Sequence, residues 1–349
     1  MKILVLVNWK LNHLEHDRLD IQPPDKQVRG QPYWFFRYWP DPDVHVDVLD
    51  YSYLPGLHTV EKKYVKFYIL QSLRAFFRAS SYDLIISHGA QSGVVLAMLR
   101  SILGRKLPPH IIIDVGCFNG GRDKHAELAP IRYSARSLDG IIYHASVQRD
   151  YYERHLPWVP ARFIPFGVDS EFFQPAEEET EDYVVATGHF QRDYRTLMEA
   201  WRRLPSGKIR LKILGLEQIQ GNLPAGVELV DWMPIQEFKR AVARARFVVL
   251  PLNYQKFAYG QMSLLQSMAM GKAVIVSRVP GTVNYVNEGN DALMVEPEDP
   301  GEMARQVEAL WDDPGRAASL GKAARETAER TSEAGMAARI HEFVTEIVG

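Results

Sequence analysis

The sequence predicts an α/β protein made of two doubly wound parallel-sheet domains, and three observations carry that prediction. The chain has 349 residues, more than the roughly 300 at which a single hydrophobic core stops growing. Short apolar runs alternate with helical patterns along its length, the mark of a parallel sheet covered on both faces. The alternation breaks at Pro165-Phe166-Gly167-Val168-Asp169 and the acidic stretch from Pro175 to Asp182, a polar segment ill suited to burial, and then restarts. The expected division is 1–168, a linker at 169–182, a second domain at 183–332, and a terminal helix at 333–349 that packs back on the first domain.

In the first domain, strands are expected at Ile3–Val7, Val44–Leu49, Leu84–Ser87, Ile111–Val115, Gly140–His144 and Arg162–Pro165. Each is a short apolar run bounded by turn formers. Helical spacing covers 58–79, 91–103, 126–137 and 147–155 between them. The first run, after a single lysine, is too short for a signal-peptide core, and no stretch approaches the roughly 18 apolar residues of a spanning helix. In the second domain the strands are Tyr183–Ala186, Lys208–Leu214, Val227–Val230, Phe247–Leu250, Ala273–Val276 and Ala292–Val295, with helices at 193–203, 235–244, 261–270, 281–288 and 300–311. Two more helical patterns, 315–330 and 333–348, have no strand after them.

Composition narrows the function classes. Hydrophobic residues make up 46% and charged residues 24%, and the net charge of -2 gives no electrostatic basis for binding nucleic acid. The single cysteine, Cys117, fits a reducing compartment. The expected location is the cytoplasm, with any membrane contact peripheral, on the inner face. The turn after the first strand reads Asn8-Trp9-Lys10-Leu11-Asn12, without the glycine fingerprint of a nicotinamide or flavin enzyme.

The turn after Phe247–Leu250 is richer. It ends in Tyr259-Gly260-Gln261, and Met262 to Met270 continue at helical spacing until Gly271. A glycine that opens a helix lets backbone N–H groups approach an anion, and the helix dipole favours negative charge there. Ser263 adds a hydroxyl in the first turn, and Gln266 lies one turn on, within reach of a sugar hydroxyl. The same glycine also suits plain close packing with a solvated Gln266.

The string Leu264-Leu-Gln-Ser-Met-Ala-Met-Gly-Lys-Ala-Val-Ile-Val-Ser277, then Val279-Pro-Gly281, Tyr285-Val286, Gly289 and Leu293-Met-Val-Glu-Pro-Glu-Asp299, resembles the donor-binding half of family 4 retaining glycosyltransferases of the GT-B fold. Ile164-Pro-Phe-Gly-Val-Asp169 with Phe172-Phe173, and Ala186-Thr-Gly188 with Arg192-Asp193 and Leu197-Met-Glu-Ala200, extend the likeness over about half the chain. The first 160 residues match in rhythm only. The resemblance implies two Rossmann-like domains facing across a cleft. It implies a nucleotide-diphosphate sugar as donor, with UDP favoured, used as substrate without a further cofactor or a required metal. The acceptor would be a sugar, a small molecule or a lipid-linked hydroxyl.

Residue by residue, Gly188 falls on that family's glycine loop near the diphosphate, and Arg192 on its basic side chain, usually lysine, that neutralises the leaving group. Gly260, Gln261, Met262 and Ser263 fall on the phosphate-binding helix start, and Met233, in Trp232-Met233-Pro234, near the base. Gln266 falls on the second glutamate of an E-x7-E motif that holds the ribose, and Ala258 on the first, which contacts the donor sugar. Both acidic positions are thus substituted. An amide still bonds a diol, whereas alanine cannot, and Tyr259 and Gln261 are the nearest replacements. The alternatives are a catalytically idle module that binds a nucleotide-sugar or supports a partner, and a nucleotide-sugar epimerase. The resemblance implies retention by front-face attack, with the leaving phosphate taking the acceptor's proton. Preorganised donors at such a charge contribute about 3 kcal/mol each. Asp41-Pro-Asp43 reads as turn chemistry rather than a metal site.

In the first domain, His88 and Asp114 follow strands and are the catalytic candidates; a turn histidine and a loop-anchoring carboxylate are the plainer readings. Asn8 and Trp9 are the acceptor-binding candidates. Gln31 to Trp39 is dense in aromatics, suited to a sugar platform or a packing cluster. The loop Asn119 to Lys124 suits a phosphate or a surface turn. The helix after Val60, with Lys62, Lys63, Lys66, Arg74 and Arg78 among aromatics, suits an anionic membrane or an ordinary cover helix.

Overall fold

The computed structural model describes residues 1–51, 56–61, 64, 67–104, 107–116, 118 and 125–349. Cys117, Lys62, Lys63, Lys66 and the loop 119–124 lie outside them. The chain forms two compact units. The first comprises Met1–Pro165, Lys256–Ala258 and Met336–Gly349, and the second Phe166–Gln255 and Tyr259–Gly335.

The first unit runs β1 (Lys2–Val7), β2 (Asn12–Leu14), β3 (Lys26–Val28), β4 (His45–Leu49), α1 (Leu57–Val60), α2 (Ile69–Arg78), β5 (Leu84–His88), α3 (Ala90–Leu103), β6 (His110–Asp114), α4 (His125–Ala135), β7 (Gly140–Tyr143), α5 (Arg149–His155) and β8 (Ala161–Phe163). Six of the strands form one parallel sheet in the order β4-β1-β5-β6-β7-β8. Its central strands are buried on both faces, so each reads as an unbroken apolar run, such as Ile111-Ile112-Ile113. The order reverses between β1 and β5, where Val7 pairs with His88.

The second unit runs β9 (Val184–Thr187), α6 (Tyr194–Arg203), β10 (Leu211–Leu214), β11 (Val227–Val230), α7 (Ile235–Arg244), β12 (Val248–Leu250), α8 (Gln261–Ala269), β13 (Val274–Ser277), β14 (Leu293–Val295), α9 (Pro300–Asp312) and α10 (Pro314–Arg330). Its parallel sheet has the order β11-β10-β9-β12-β13-β14 and reverses between β9 and β12. Leu197, Leu211, Ile213, Phe247, Ile275 and Val307 form part of its core.

The last helix, α11 (Glu333–Val348), contributes Met336 onward to the first unit. Arg162 pairs with Glu346, the rings of Trp39 and His341 lie 4.9 Å apart, and Phe343 covers Gly140 so closely that a Cβ there would meet its ring at 3.0 Å.

Two expected helices differ. Residues 281–288 form turns instead. Thr282 Oγ donates to Ser277 O (2.9 Å) and accepts from Val279 N (3.2 Å), and this hydroxyl competes with a helical ladder. The pattern over 58–79 contains α1 and α2 separately, because Glu61 accepts from Leu70 N at 3.0 Å and so supplies the first turn of α2 with a side-chain partner. The three-residue pair β2 and β3 has no counterpart in the sequence reading. No helix among the described residues is long and apolar enough to cross a membrane.

Candidate functional site

Ligands of open parallel sheets bind beyond the carboxyl ends of the strands, where the strand order reverses. In the second unit that point lies between β9 and β12. Thr187 ends β9, and Gly188 follows with φ +84. A Cβ at Gly188 would lie 2.5 Å from Arg192 Nη2, so only glycine lets the guanidinium lie across this turn.

Arg192 is anchored by uncharged groups. Its Nε donates to Thr187 O (2.7 Å), Nη1 to Phe190 O (3.0 Å) and Nη2 to Ser263 Oγ (2.9 Å). A backbone bridge to Leu252 and the Asp193 N to Pro251 O bond (3.0 Å) tie its loop to the turn after β12. Among the described residues no carboxylate lies within ion-pair distance of it. Burial pushes its pKa below the usual arginine value, although it remains a cation at any physiological pH.

The Ser263 hydroxyl belongs to the first turn of α8. Gly260 opens that helix at φ +81, and a Cβ there would meet Leu252 at 2.6 Å. No side chain caps this N-terminus, whereas Asp193, Asp299 and Asp313 cap α6, α9 and α10. Its first-turn N–H groups therefore point forward without an intrahelical acceptor. Three buried polar atoms on these turns and helix starts also lack a partner: Thr187 Oγ, Asp193 Oδ2 and Gln261 Oε1. Buried polar groups are nearly always bonded, so the unpartnered oxygens call for hydroxyl or N–H donors, while the cation without a carboxylate partner among the described residues and the uncapped helix suit an anion. Thr187 is given no site role by the sequence, where it stands only within Ala186-Thr-Gly188, one residue beyond the expected strand.

Of the other candidates, Met262 and Gln266 lie on α8 and Met233 in the loop after β11. The Gln266 side chain is half-buried and Met262 is exposed on α8. Met233 is half-buried in the loop after β11, next to the exposed Trp232. Ala258 is buried. Tyr194 OH donates to Gly188 O, which fixes the glycine turn.

In the first unit the reversal point brings together Asn8, Trp9 and His88. The Trp9 ring meets His88 at 4.9 Å and Trp34 at 5.9 Å, and Trp34 meets His88 at 5.2 Å. Trp9 Nε1 donates to Pro24 O (2.8 Å), and Asn8 Nδ2 lies 3.4 Å from Gln91 Oε1. Trp34 sits at φ +45, a rare conformation for an aromatic residue. Both His88 ring nitrogens are buried without a partner. Burial, followed by repulsion from His144, lowers its pKa to about 3. Such an imidazole is a neutral hydrogen-bonding group and a poor general base.

Asp114 is placed differently. It is fully buried; Oδ1 accepts from Gly116 N (3.0 Å) and Phe118 N (3.4 Å), and Oδ2 from Gln148 Nε2 (3.2 Å) and Tyr152 OH. This carboxylate holds the turn after β6 to α5, the loop-anchoring arrangement, and it has no open face for a substrate. The aromatics Tyr33 to Phe36 and Trp39 are buried as packing residues. Asp41 accepts from Asp43 N at 3.0 Å, as a turn residue.

Residues 181–313 match the family model described as glycosyl transferases group 1. No curated protein matches the chain in sequence. In fold, the chain is similar to sucrose-phosphate synthase from Thermosynechococcus elongatus, with TM-score 0.75 and 16% identity over 99% of both chains. It is likewise similar to Anabaena HepE in complex with UDP-glucose, with TM-score 0.69 and 15% identity over 99% of this chain and 100% of that one. S. aureus TarM matches with TM-score 0.65 and 15% identity over 80% of this chain and 58% of its own. The fold is that of GT-B glycosyltransferases: two parallel-sheet α/β domains.

Proposed function

We propose that this chain is a glycosyltransferase that moves a sugar from a nucleotide-diphosphate sugar to an acceptor hydroxyl. The observation that carries the reading is Arg192: a largely desolvated guanidinium, without a carboxylate partner among the described residues, bonded to Ser263 at the uncapped start of α8. Diphosphate oxygens would take the N–H groups of Gln261, Met262 and Ser263, the Thr187 hydroxyl and the cation. The match of residues 181–313 to glycosyl transferases group 1 supports the donor class, and the fold neighbour complexed with UDP-glucose favours a UDP-sugar.

In this mechanism the second unit stabilises charge that grows on the leaving diphosphate. Fixed donors act best there, because they need no reorganisation as the bond breaks. Gln266 takes the ribose hydroxyls. Retention by front-face attack, with the leaving phosphate accepting the acceptor's proton, suits a chain whose candidate histidine has a pKa near 3. Asn8, Trp9 and the neutral His88 are the proposed acceptor contacts in the first unit. A second reading, a module that binds the donor without turnover, is favoured by one observation: Ala258 offers no side-chain contact to a sugar. Incubation with UDP-, GDP-, ADP- and dTDP-sugars, with and without acceptors, separates the two. Nucleotide release supports transfer, tight binding without release across the panel supports the idle module, and no binding to any member overturns both.

A further inference from the structure

The helix α2 presents apolar side chains to solvent while burying polar ones. Gln71 and Ser72 are buried, and Gln71 Nε2 donates to Val7 O (2.8 Å) and Leu49 O (2.7 Å), tying the helix to the ends of β1 and β4. These bonds fix how the helix is turned. Ile69, Leu73 and Phe77, four residues apart, therefore stand on its outer side as one ridge, with Phe77 71% exposed. A surface helix ordinarily keeps its outer side polar. The neighbouring α3 covers the same face of the sheet: Ala75, Phe76 and Leu96 belong to one cluster with Leu4, Leu6 and Ile85, and Tyr68 N donates to Gln91 O at 3.2 Å. At the end of α3, Ile102 and Leu103 are both 59% exposed.

Neither helix carries an acidic residue. α2 has Arg74 and Arg78, and α3 has Arg100, which pairs with Asp139 at 3.4 Å. Arg78 is exposed next to Phe77. In the sequence before α2, Lys62, Lys63 and Lys66 add positive charge, and Glu61 is buried, accepting from Leu70 N. A partner for this face must be apolar and anionic at once. A second copy would set arginines against arginines, and a nucleic acid offers nothing to the apolar ridge. An amphipathic peptide docks in a groove, whereas Phe77 stands out of the surface. We propose that the outer face of α2, extended by the end of α3, docks on an anionic lipid bilayer. Phe77 enters the acyl boundary, and Arg78 meets the headgroups. The inference goes beyond sugar transfer and stands without it.

Sedimentation of the full chain with vesicles of phosphatidylcholine alone, and of equal parts phosphatidylcholine and phosphatidylglycerol, tests it. The parent is expected to bind the mixed vesicles at low salt, and at least about tenfold more weakly the neutral ones. Phe77→Ser lowers affinity for the mixed vesicles about tenfold, the worth of one phenyl ring leaving water. Arg78→Glu does the same, and leaves the weaker binding to neutral vesicles unchanged. Leu223→Ser, which removes an exposed apolar residue of the second unit, changes neither. Thermal unfolding at the parent's temperature shows that the variants are folded. Absence of binding to both vesicles overturns the inference. So does vesicle binding that Phe77→Ser leaves intact, which assigns the arginines to an acidic protein. A dimer that Phe77→Ser abolishes, without vesicle binding, also overturns it and assigns the ridge to a second copy.

Discussion

Arg192 Nη2 donates to Ser263 Oγ at 2.9 Å, joining the turn after β9 to the first turn of α8 through a cation without a carboxylate partner among the described residues. Removing it leaves the uncapped helix start as the main source of positive potential. In Arg192→Ala, affinity for a nucleoside diphosphate is expected to fall about ten- to a hundredfold, the range for losing a charge-assisted contact. Unchanged affinity in calorimetry counts against the proposed role.

Gly281 packs against the Tyr259 backbone, and a Cβ would lie 2.2 Å from Tyr259 O. Backbone cannot yield as a flexible side chain does, so Gly281→Ala is expected to destabilise the second unit by about 3 kcal/mol. Urea unfolding measures this; a loss below about 1 kcal/mol contradicts the packing described.

Asp114 satisfies two backbone N–H groups, Gln148 and Tyr152, and is fully buried. Asp114→Asn puts an amide where acceptors are needed and is expected to cost about 2 to 3 kcal/mol of stability. Nucleotide affinity should be unaffected. A variant of full stability that has lost turnover would restore Asp114 as a catalytic group.

Acid stability follows from His88 and His144, whose pKa values are lowered, chiefly by burial, to about 3 and about 4. An unfolded histidine titrates near 6.5 and the folded ones lower, so between these values the unfolded chain binds more protons. Stability is therefore complete above about pH 6.5 and falls as pH drops, by about 2 kcal/mol per histidine between pH 7 and 4.5. Denaturant titrations of the parent and His88→Phe over this range measure it, the variant showing the shallower slope. Equal slopes would refute the assignment.

The fold is legible in the sequence because buried parallel strands must be apolar on both faces. The strand Val227–Val230 and the helix Ile235–Arg244 have the limits their patterns suggest. What escapes is set by single side chains acting across the chain. The Thr282 hydroxyl turns an apparent helix into turns, and Glu61 gives α2 its own start. At the site, Gly260 and Ser263 stand out in sequence as a helix opening. The missing counter-ion of Arg192 and the orphaned oxygens of Thr187 and Gln261 are properties of packing, and no local pattern records them. Asp114 has the look of a strand-end catalytic residue because its partners Gln148 and Tyr152 lie 34 and 38 residues away.

The return of Met336–Gly349 to the first unit bears on how the chain is made. A ribosome delivers the six strands of the first sheet early, yet Phe343, which covers Gly140, and Glu346, which pairs with Arg162, emerge only after the whole second unit. The first unit must therefore wait, partly uncovered, while the second folds, and a fragment ending at Pro165 would keep that apolar patch bare. Chaperone dependence and co-translational aggregation should accordingly track the integrity of the final helix more closely than that of any strand.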